Sequence, residues 1–288
     1  KAIVDTEPDK MEIINDDVKD IMIEQTIEAT KNQQESSDIS SEEDLTNIVA
    51  EIIVKTDSET AAKIIDEVNE KSVEKRGIIA VSLSNESTFD KLVAQDFVFN
   101  SLVMSSLSKE VQQISSISDF LVAHKNSQAV LDALSDEKIE IVSLTITEKG
   151  YCYNSEKKGL DFTNQKIVED LINIKNPQTA IGFIVAGLRE RYLNRKTPFT
   201  ILSCDNLPNN GAVIKKVVID FAHKIDPTLA NWISKEVCFP SSMVDRITPA
   251  TKDQDIINFA TEYGYYDPAL VVHEEFFQWV IEDNFFLA

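Results

Sequence analysis

Three polar side chains follow an apolar run near the middle of the chain, where they could contact a small hydroxylated ligand. The run is residues 199–203, and Asp205, Asn206 and Asn209 come directly after it. A carboxylate accepts hydrogen bonds from ligand hydroxyls, and the two amides can bind a ligand or tie a loop. The alternative is structural, because Asp205, Asn206 and Gly211 also suit a turn that caps the next helix.

A second pair of candidate residues, Thr147 and Glu148, follows the clearest strand pattern in the chain, residues 139–146. The backbone and hydroxyl at such a strand end can face a cofactor. Open α/β sheets bind ligands beyond the carboxyl ends of their strands. We therefore expect the residues after 146 and after 203 to share one edge of a sheet.

Cysteine and histidine give no comparable signal. The chain has three of each, at 152, 204 and 238 and at 124, 223 and 273. The cysteines form no C-x-x-C pair, and no histidine lies at a spacing that would activate one of them. We predict reduced thiols in a cytoplasmic protein, with no metal site and no catalytic residue of this kind.

Composition excludes several classes of partner. The net charge is −21, from 49 acidic and 28 basic residues, and this argues against binding to nucleic acid or to anionic membranes. No apolar run approaches the roughly 18 residues of a membrane span. Residues 1–75 hold 21 of the acidic residues and 8 of the basic ones, so the acidity is concentrated there.

The chain divides by composition into three parts. Residues 1–40 are polar and acidic and predict a partly disordered linker. Residues 41–75 show two amphipathic stretches, the second capped by Asp57 and Ser58, and predict a helical hairpin that packs on the main domain or on a partner protein. From residue 76 to 288, strand and helix patterns alternate, which predicts an α/β fold with a doubly wound, mainly parallel sheet of the Rossmann type.

Several blocks in the last three quarters of the chain resemble the polyol-specific long-chain dehydrogenases and reductases, the group of mannitol 2-dehydrogenase and fructuronate reductase. The blocks are residues 117–119, 141–151, 203–211, 239–249 and 278–283. The resemblance implies a Rossmann domain with Thr147, Glu148, Asp205 and Asn206 on the cofactor side, as weak or vestigial contacts. It also implies Asp205 and Asn209 on the substrate side.

Two parts of the family pattern are missing from this sequence. The family places a Gly-x-Gly-Gly-Phe loop before the position of Gly77, but the chain has only seven glycines and none lies earlier. Glycines let the backbone approach a pyrophosphate, and an acidic segment would repel it. The family's general base belongs to a Lys-x4-Asn-x2-His motif in a second domain, and no such motif occurs here. Lys149 also stands where the family usually has glycine, and Glu86, which could bind the adenosine ribose, appears one residue before the aligned Ser87.

Two functions compatible with these features remain. In the first, the chain is a degenerate, non-catalytic descendant that acts as a scaffold or protein-binding module, needs no cofactor, and contacts a protein through its acidic helical N-terminal segment. In the second, it is a fragment or one half of an NAD-dependent polyol or hexuronate oxidoreductase, which would use NAD(H).

Overall fold

Strands and helices alternate along most of the chain. The computed structural model describes residues 47–49, 58–71, 76–104, 109–146 and 148–286. Its strands are β1 (Asn47–Val49), β2 (Arg76–Ser82), β3 (Phe99–Met104), β4 (Lys109–Ile114), β5 (Ile117–Val122), β6 (Ile141–Leu144), β7 (Tyr153–Asn154), β8 (Gly159–Leu160), β9 (Thr200–Ser203), β10 (Ser242–Asp245), β11 (Val271–His273) and β12 (Gln278–Ile281). Its α-helices are α1 (Ser58–Lys71), α2 (Ser87–Val93), α3 (Ser127–Ser135), α4 (Gln165–Ile172), α5 (Ala180–Leu193), α6 (Asn210–Ile225), α7 (Pro227–Glu236) and α8 (Asp253–Tyr263), and a 3₁₀ turn spans Glu148–Tyr151.

Strand pairing is mixed, and the strands that lead to the candidate site residues, β6 and β9, are a parallel pair. Strands β1, β2 and β5 pair in parallel in that order, β6 pairs in parallel with β9, and β11 pairs in parallel with β3. The antiparallel pairs are β3 with β4, β7 with β8 and β10 with β12. This is a mixed α/β domain of the Rossmann type, and among the described residues no helix has the length and apolar character that a membrane crossing requires.

The main strand and helix predictions after residue 76 are confirmed. The apolar run at 77–83 forms β2, the run at 139–146 contains β6, and the run at 199–203 contains β9. Pro227 begins α7, where a proline is favourable because the first turn of a helix needs no backbone N–H from it.

Two pieces of the hairpin predicted over 41–75 fall within the described residues. Asn47–Val49 form a strand paired with Arg76–Ile78 of β2, and the second predicted helix is present as α1. The three-residue strand departs from the helical spacing of its apolar residues, because β-branched side chains also suit a strand. The described residues thus give no support to an acidic helical extension in place of the first βα unit. Residues 1–46 and 50–57 lie outside the described residues, so the linker predicted over 1–40 and the rest of the hairpin stay predictions.

Helix α5 is the centre of the largest apolar cluster. It is buried along nearly its whole length, as expected for a helix that is apolar on all sides. Helix α3 approaches it closely, since a Cβ on Gly187 would lie 2.7 Å from the Cβ of Leu134. Strands β6 and β9 and helix α6 supply the other sides of this cluster.

Two buried charged side chains tie this region together. Arg191 of α5 donates to the carbonyls of Leu134 at 2.8 Å, Ile139 at 2.7 Å and Thr197 at 3.0 Å, and also to that of Asp136. Burial lowers the Arg191 pKa to about 10.

Asp170 of α4 is the second buried charge. It accepts hydrogen bonds from the Gln178 N–H at 2.7 Å, the Thr179 N–H at 3.0 Å and the Thr179 hydroxyl at 2.6 Å. Thr179 in turn caps α5 by accepting from the Gly182 N–H at 3.0 Å. Asp170 therefore fixes the start of α5, while Arg191 fixes its end.

Candidate functional site

The carboxyl ends of β6 and β9 lie side by side, as the sequence predicted. Leu144 is opposite Ser203 in the parallel register, and the Cys204 N–H donates to the Leu144 carbonyl at 2.8 Å. The segments that follow, from 145 and from 204, therefore leave the sheet at one edge. This is the edge at which open α/β sheets bind ligands.

A tyrosine that sequence reasoning missed links these two segments. Tyr151 ends the 3₁₀ turn after β6, its side chain is fully buried, and its hydroxyl donates a short hydrogen bond to Asp205 Oδ2. The turn begins at Glu148. This predicted residue therefore lies in the same turn as Tyr151, which contacts Asp205, another predicted residue. Tyr151 is the last residue of block 141–151, one of the blocks that resemble the family. Its place in that block was the sequence signal that could have identified it as a site residue.

Burial controls the protonation of this pair. It raises the pKa of Tyr151 well above its ordinary value, and the hydrogen bond to the Asp205 carboxylate acts in the same direction. Burial also raises the pKa of Asp205, and the hydrogen bond from Tyr151 to Oδ2 is the largest influence that opposes that rise. Tyr151 is therefore the neutral donor and Asp205 the acceptor.

Asn210 holds the loop after β9 and was also missed. Its side chain is fully buried, and its amide group donates to the carbonyls of Ser203 at 3.2 Å, Asp205 at 3.0 Å and Ser242 at 2.8 Å. Its Oδ1 accepts from the N–H groups of Gly211 at 2.8 Å and Ser242 at 3.0 Å. The side chain thus satisfies five backbone groups and joins this loop to β10.

Gly211 is required by a close backbone approach in the first turn of α6. A Cβ at this position would lie 2.5 Å from the Phe239 carbonyl oxygen and 2.7 Å from the Ser241 nitrogen. Residues 239–241 thus pack directly on the helix that follows Asp205. The two sequence blocks 203–211 and 239–249 therefore meet in space.

The other predicted site residues are at the surface. Asn206 and Asn209 are exposed, and Asn209 is the N-cap residue of α6 in a left-handed conformation, without a side-chain cap bond. Glu148 is exposed, and Thr147 lies outside the described residues. The structure brings Asp205 and the turn of Glu148 together, and the roles assigned to all these side chains remain predictions.

Several buried polar atoms at this edge have no hydrogen-bond partner among the described residues. They include Asp205 Oδ1, Ser143 Oγ, Thr145 Oγ1 and Trp279 Nε1. Trp279 of β12 packs with Leu202 of β9, which is opposite Ser143 in the register. Buried polar groups are normally hydrogen-bonded, so this edge has hydrogen-bonding capacity that the rest of the described chain does not use.

The residues present do not fit the diphosphate of a dinucleotide. The connection from β1 to α1 is residues 50–57, AEIIVKTD, which has two acidic residues, one basic residue and no glycine. Glu86, the candidate for the adenosine ribose, instead forms an ion pair with Lys125 and a hydrogen bond with His124 Nε2 at 2.7 Å. Hydrogen bonding from Lys125 first, and then from His124, lowers the pKa of Glu86. Residues 50–57 thus lack the glycines that bring a backbone close to a diphosphate, and the Glu86 carboxylate is already engaged by side chains of this chain.

Comparison with known proteins gives consistent relatives. The chain is 39% identical over 211 residues to the uncharacterized oxidoreductase YeiQ of Escherichia coli K12, and 41% identical over 198 residues to a mannitol 2-dehydrogenase of Aspergillus fumigatus. The D-mannonate oxidoreductase of E. coli K12 is 39% identical over 213 residues. These alignments cover 73%, 68% and 73% of this chain, but only 43%, 39% and 44% of those proteins. The chain thus spans less than half of their length.

A solved structure gives the same result. The Pseudomonas fluorescens mannitol 2-dehydrogenase, determined as a ternary complex with NAD and D-mannitol, matches with a TM-score of 0.80 and 37% identity, over 85% of this chain and 51% of that one. The family described as the mannitol dehydrogenase Rossmann domain matches residues 72–288. This range starts just before β2 and includes all the blocks named above. The chain therefore belongs to the mannitol dehydrogenase family and carries its Rossmann domain.

Proposed function

We propose that this chain is a non-catalytic member of the family that acts as a scaffold or protein-binding module and retains only the polyol side of the ancestral site. The observation that carries the proposal is the connection of residues 50–57, which has no glycine where a dinucleotide needs close backbone contact. A domain without that contact does not hold NAD(H) tightly enough to support hydride transfer.

The retained polyol side is Asp205. Its Oδ1 is buried and has no hydrogen-bond partner within the part of the chain that the structure describes, while Oδ2 accepts from Tyr151. A ligand hydroxyl is a suitable donor for the open oxygen. The relatives named above act on mannitol and mannonate, according to their names, which supports a polyol or sugar acid as the ligand class.

The proposed partner is a protein with a basic surface. Residues 1–75 carry 21 acidic and 8 basic residues, and complementary charge favours association with a cationic patch. The three cysteines, none of which forms a disulfide, support the cytoplasmic location predicted from the sequence.

Isothermal titration calorimetry of the purified chain tests the proposal. We expect no binding of NADH at submillimolar concentration and weak binding of D-mannitol, with the P. fluorescens enzyme as the positive control. Asp205→Ala should abolish the mannitol signal without unfolding the protein. Submillimolar NADH binding would contradict the proposal.

The second candidate function is one half of an NAD-dependent polyol or hexuronate oxidoreductase. The unpartnered polar atoms beside β6 and β9 favour it, because they lie where the family binds its ligands. A direct test is to mix this chain with the separately expressed second half of the A. fumigatus relative and to follow NADH oxidation with D-fructose. Activity above that of either part alone would establish this candidate and exclude the first.

A further inference from the structure

Tyr151 is a fully buried core residue, although it lies in a turn beside the candidate site. Its ring belongs to the largest apolar cluster and has no exposed surface. The turn before it is tight, since a Cβ on Gly150 would lie 2.9 Å from the Cβ of Ile146. The next residue, Cys152, has a positive φ of 50°. The position of the Tyr151 hydroxyl is therefore set by packing on both sides.

The partner of this hydroxyl is a carboxylate, although a backbone carbonyl would satisfy it equally well. A buried tyrosine hydroxyl needs one acceptor, and here it takes Asp205 Oδ2 from a segment 54 positions further along the chain. The bond uses one oxygen of the carboxylate and leaves Oδ1 open. The choice of acceptor thus affects a site residue as well as the core.

We propose that Tyr151 is a positioning residue, which fixes Asp205 in one orientation and stabilises its carboxylate through the hydrogen bond to Oδ2, so that Oδ1 is presented to a ligand hydroxyl. The inference rests on the proposed function in one respect, that Asp205 faces the ligand. Tyr151 itself remains in the core and does not contact the ligand.

The electrostatic part of this role follows from opposing effects on Asp205. Burial favours its neutral form, and the Tyr151 hydroxyl is the largest influence that favours the charged form. Burial, and then the hydrogen bond to Asp205, raise the pKa of Tyr151, so the neutral hydroxyl is the donor of the pair at neutral pH. The other titratable group near the pair is the buried thiol of Cys204.

Tyr151→Phe tests the proposal, because it removes the hydroxyl and keeps the ring. Selective ¹³Cγ labelling of aspartate allows the Asp205 carboxyl to be titrated by NMR without any ligand, and Asp205→Asn identifies its signal. We expect the midpoint to move to higher pH in Tyr151→Phe. Tyr192→Phe is the matched control, since its hydroxyl makes only a long 3.4 Å bond to Thr228 and its ring packs against the same cluster. An unchanged midpoint in Tyr151→Phe would overturn the proposal.

Binding of D-mannitol provides the second measurement. Loss of one charge-assisted hydrogen bond that orients the acceptor should weaken binding about tenfold in Tyr151→Phe and leave Tyr192→Phe unchanged. If the midpoint moves but the affinity does not, Tyr151 does not position Asp205 for this ligand. If the unmodified chain does not bind D-mannitol at all, the proposed ligand class is wrong, while the titration still decides whether Tyr151 controls Asp205.

Discussion

Buried polar groups at the two ends of the apolar core differ in whether they have hydrogen-bond partners. Around α5, Arg191 donates to four carbonyls and Asp170 accepts three hydrogen bonds. At the carboxyl ends of β6 and β9, Asp205 Oδ1 and Ser143 Oγ have no partner among the described residues. The first set is complete within the chain, so its role is to hold the fold. The second set is incomplete, and an incomplete polar set is what a binding site looks like before its ligand arrives.

Of the substitutions that test this difference, replacing Arg191 should change the free energy of unfolding most. Arg191→Met removes the donor from the carbonyls of Leu134, Ile139 and Thr197, while that of Asp136 keeps the Ile139 N–H at 3.1 Å, and we expect a loss of about 4 kcal/mol in the free energy of unfolding. Urea denaturation followed by circular dichroism measures it. Lys196→Met is the control, since Lys196 makes one bond to the same region, to the Ser135 carbonyl at 2.7 Å, from a partly exposed position. Equal effects of the two substitutions would contradict the structural role of Arg191.

Replacing Asp170 should have the next largest effect. Asp170→Ala leaves the Gln178 and Thr179 donors without an acceptor at the start of α5, and we expect a loss of about 3 kcal/mol. Asp132→Ala removes an exposed carboxylate that accepts one bond, from Gln128 at 2.8 Å, and should cost less than about 0.5 kcal/mol. A small effect at Asp170 would mean that the start of α5 is fixed by packing alone.

At the carboxyl ends of β6 and β9, replacing the buried charged residue should raise the free energy of unfolding instead of lowering it. Burial raises the pKa of Asp205, so its ionisation costs stability in the folded protein. The favourable contribution is present below the unfolded pKa, about 3.9, and is lost as the pH rises through the higher folded pKa. Asp205→Asn does not ionise, so we expect it to be more stable than the parent chain at pH 7, by about 0.5–1 kcal/mol, with the difference shrinking towards pH 3.

Urea denaturation of both proteins at several pH values measures this difference. Asp132→Asn controls for the change in net charge. A parent chain that is more stable than Asp205→Asn at pH 7 would show that the carboxylate serves the fold, and the two ends of the core would then not differ.

The smallest effect is expected at Ser143. Its buried hydroxyl has no hydrogen-bond partner among the residues that the structure describes, so Ser143→Ala should change the free energy of unfolding by less than about 0.5 kcal/mol. Thr179→Val removes a hydroxyl of similar burial that bonds to Asp170 at 2.6 Å, and should cost about 1–2 kcal/mol. Thermal unfolding of the two variants compares a partnered and an unpartnered hydroxyl directly. A large loss at Ser143 would reveal a partner inside the protein.

The sequence predicted the parts of the fold that local pattern controls. Apolar runs identified β6 and β9, and the proline rule placed the start of α7. It failed at Asn47–Val49, because three β-branched or short residues suit both a helix face and a strand, and only pairing with β2 decides between them. Strand β12 was missed for a similar reason, since its partner β10 lies more than 30 residues away in sequence.

The sequence singled out Asp205 as a candidate site residue, but not Tyr151 and Asn210, which hold Asp205 and its loop in place. Asp205 followed a recognisable strand, but Tyr151 meets it through the parallel pairing of β6 and β9, which no local pattern encodes. Asn210 was passed over in favour of its neighbour Asn209. The phase of α6 decides which of the two is buried, and that phase depends on the contact of Gly211 with residues 239–241.

The pairing of β1 with β2 separates two demands that usually fall on the same short segment. Backbone hydrogen bonds pair β1 with β2, and α1 begins at Ser58. A loop transplant follows from this arrangement: glycines from a relative, placed between β1 and α1, would test whether affinity for a nucleotide can be changed while the order of the strands is kept.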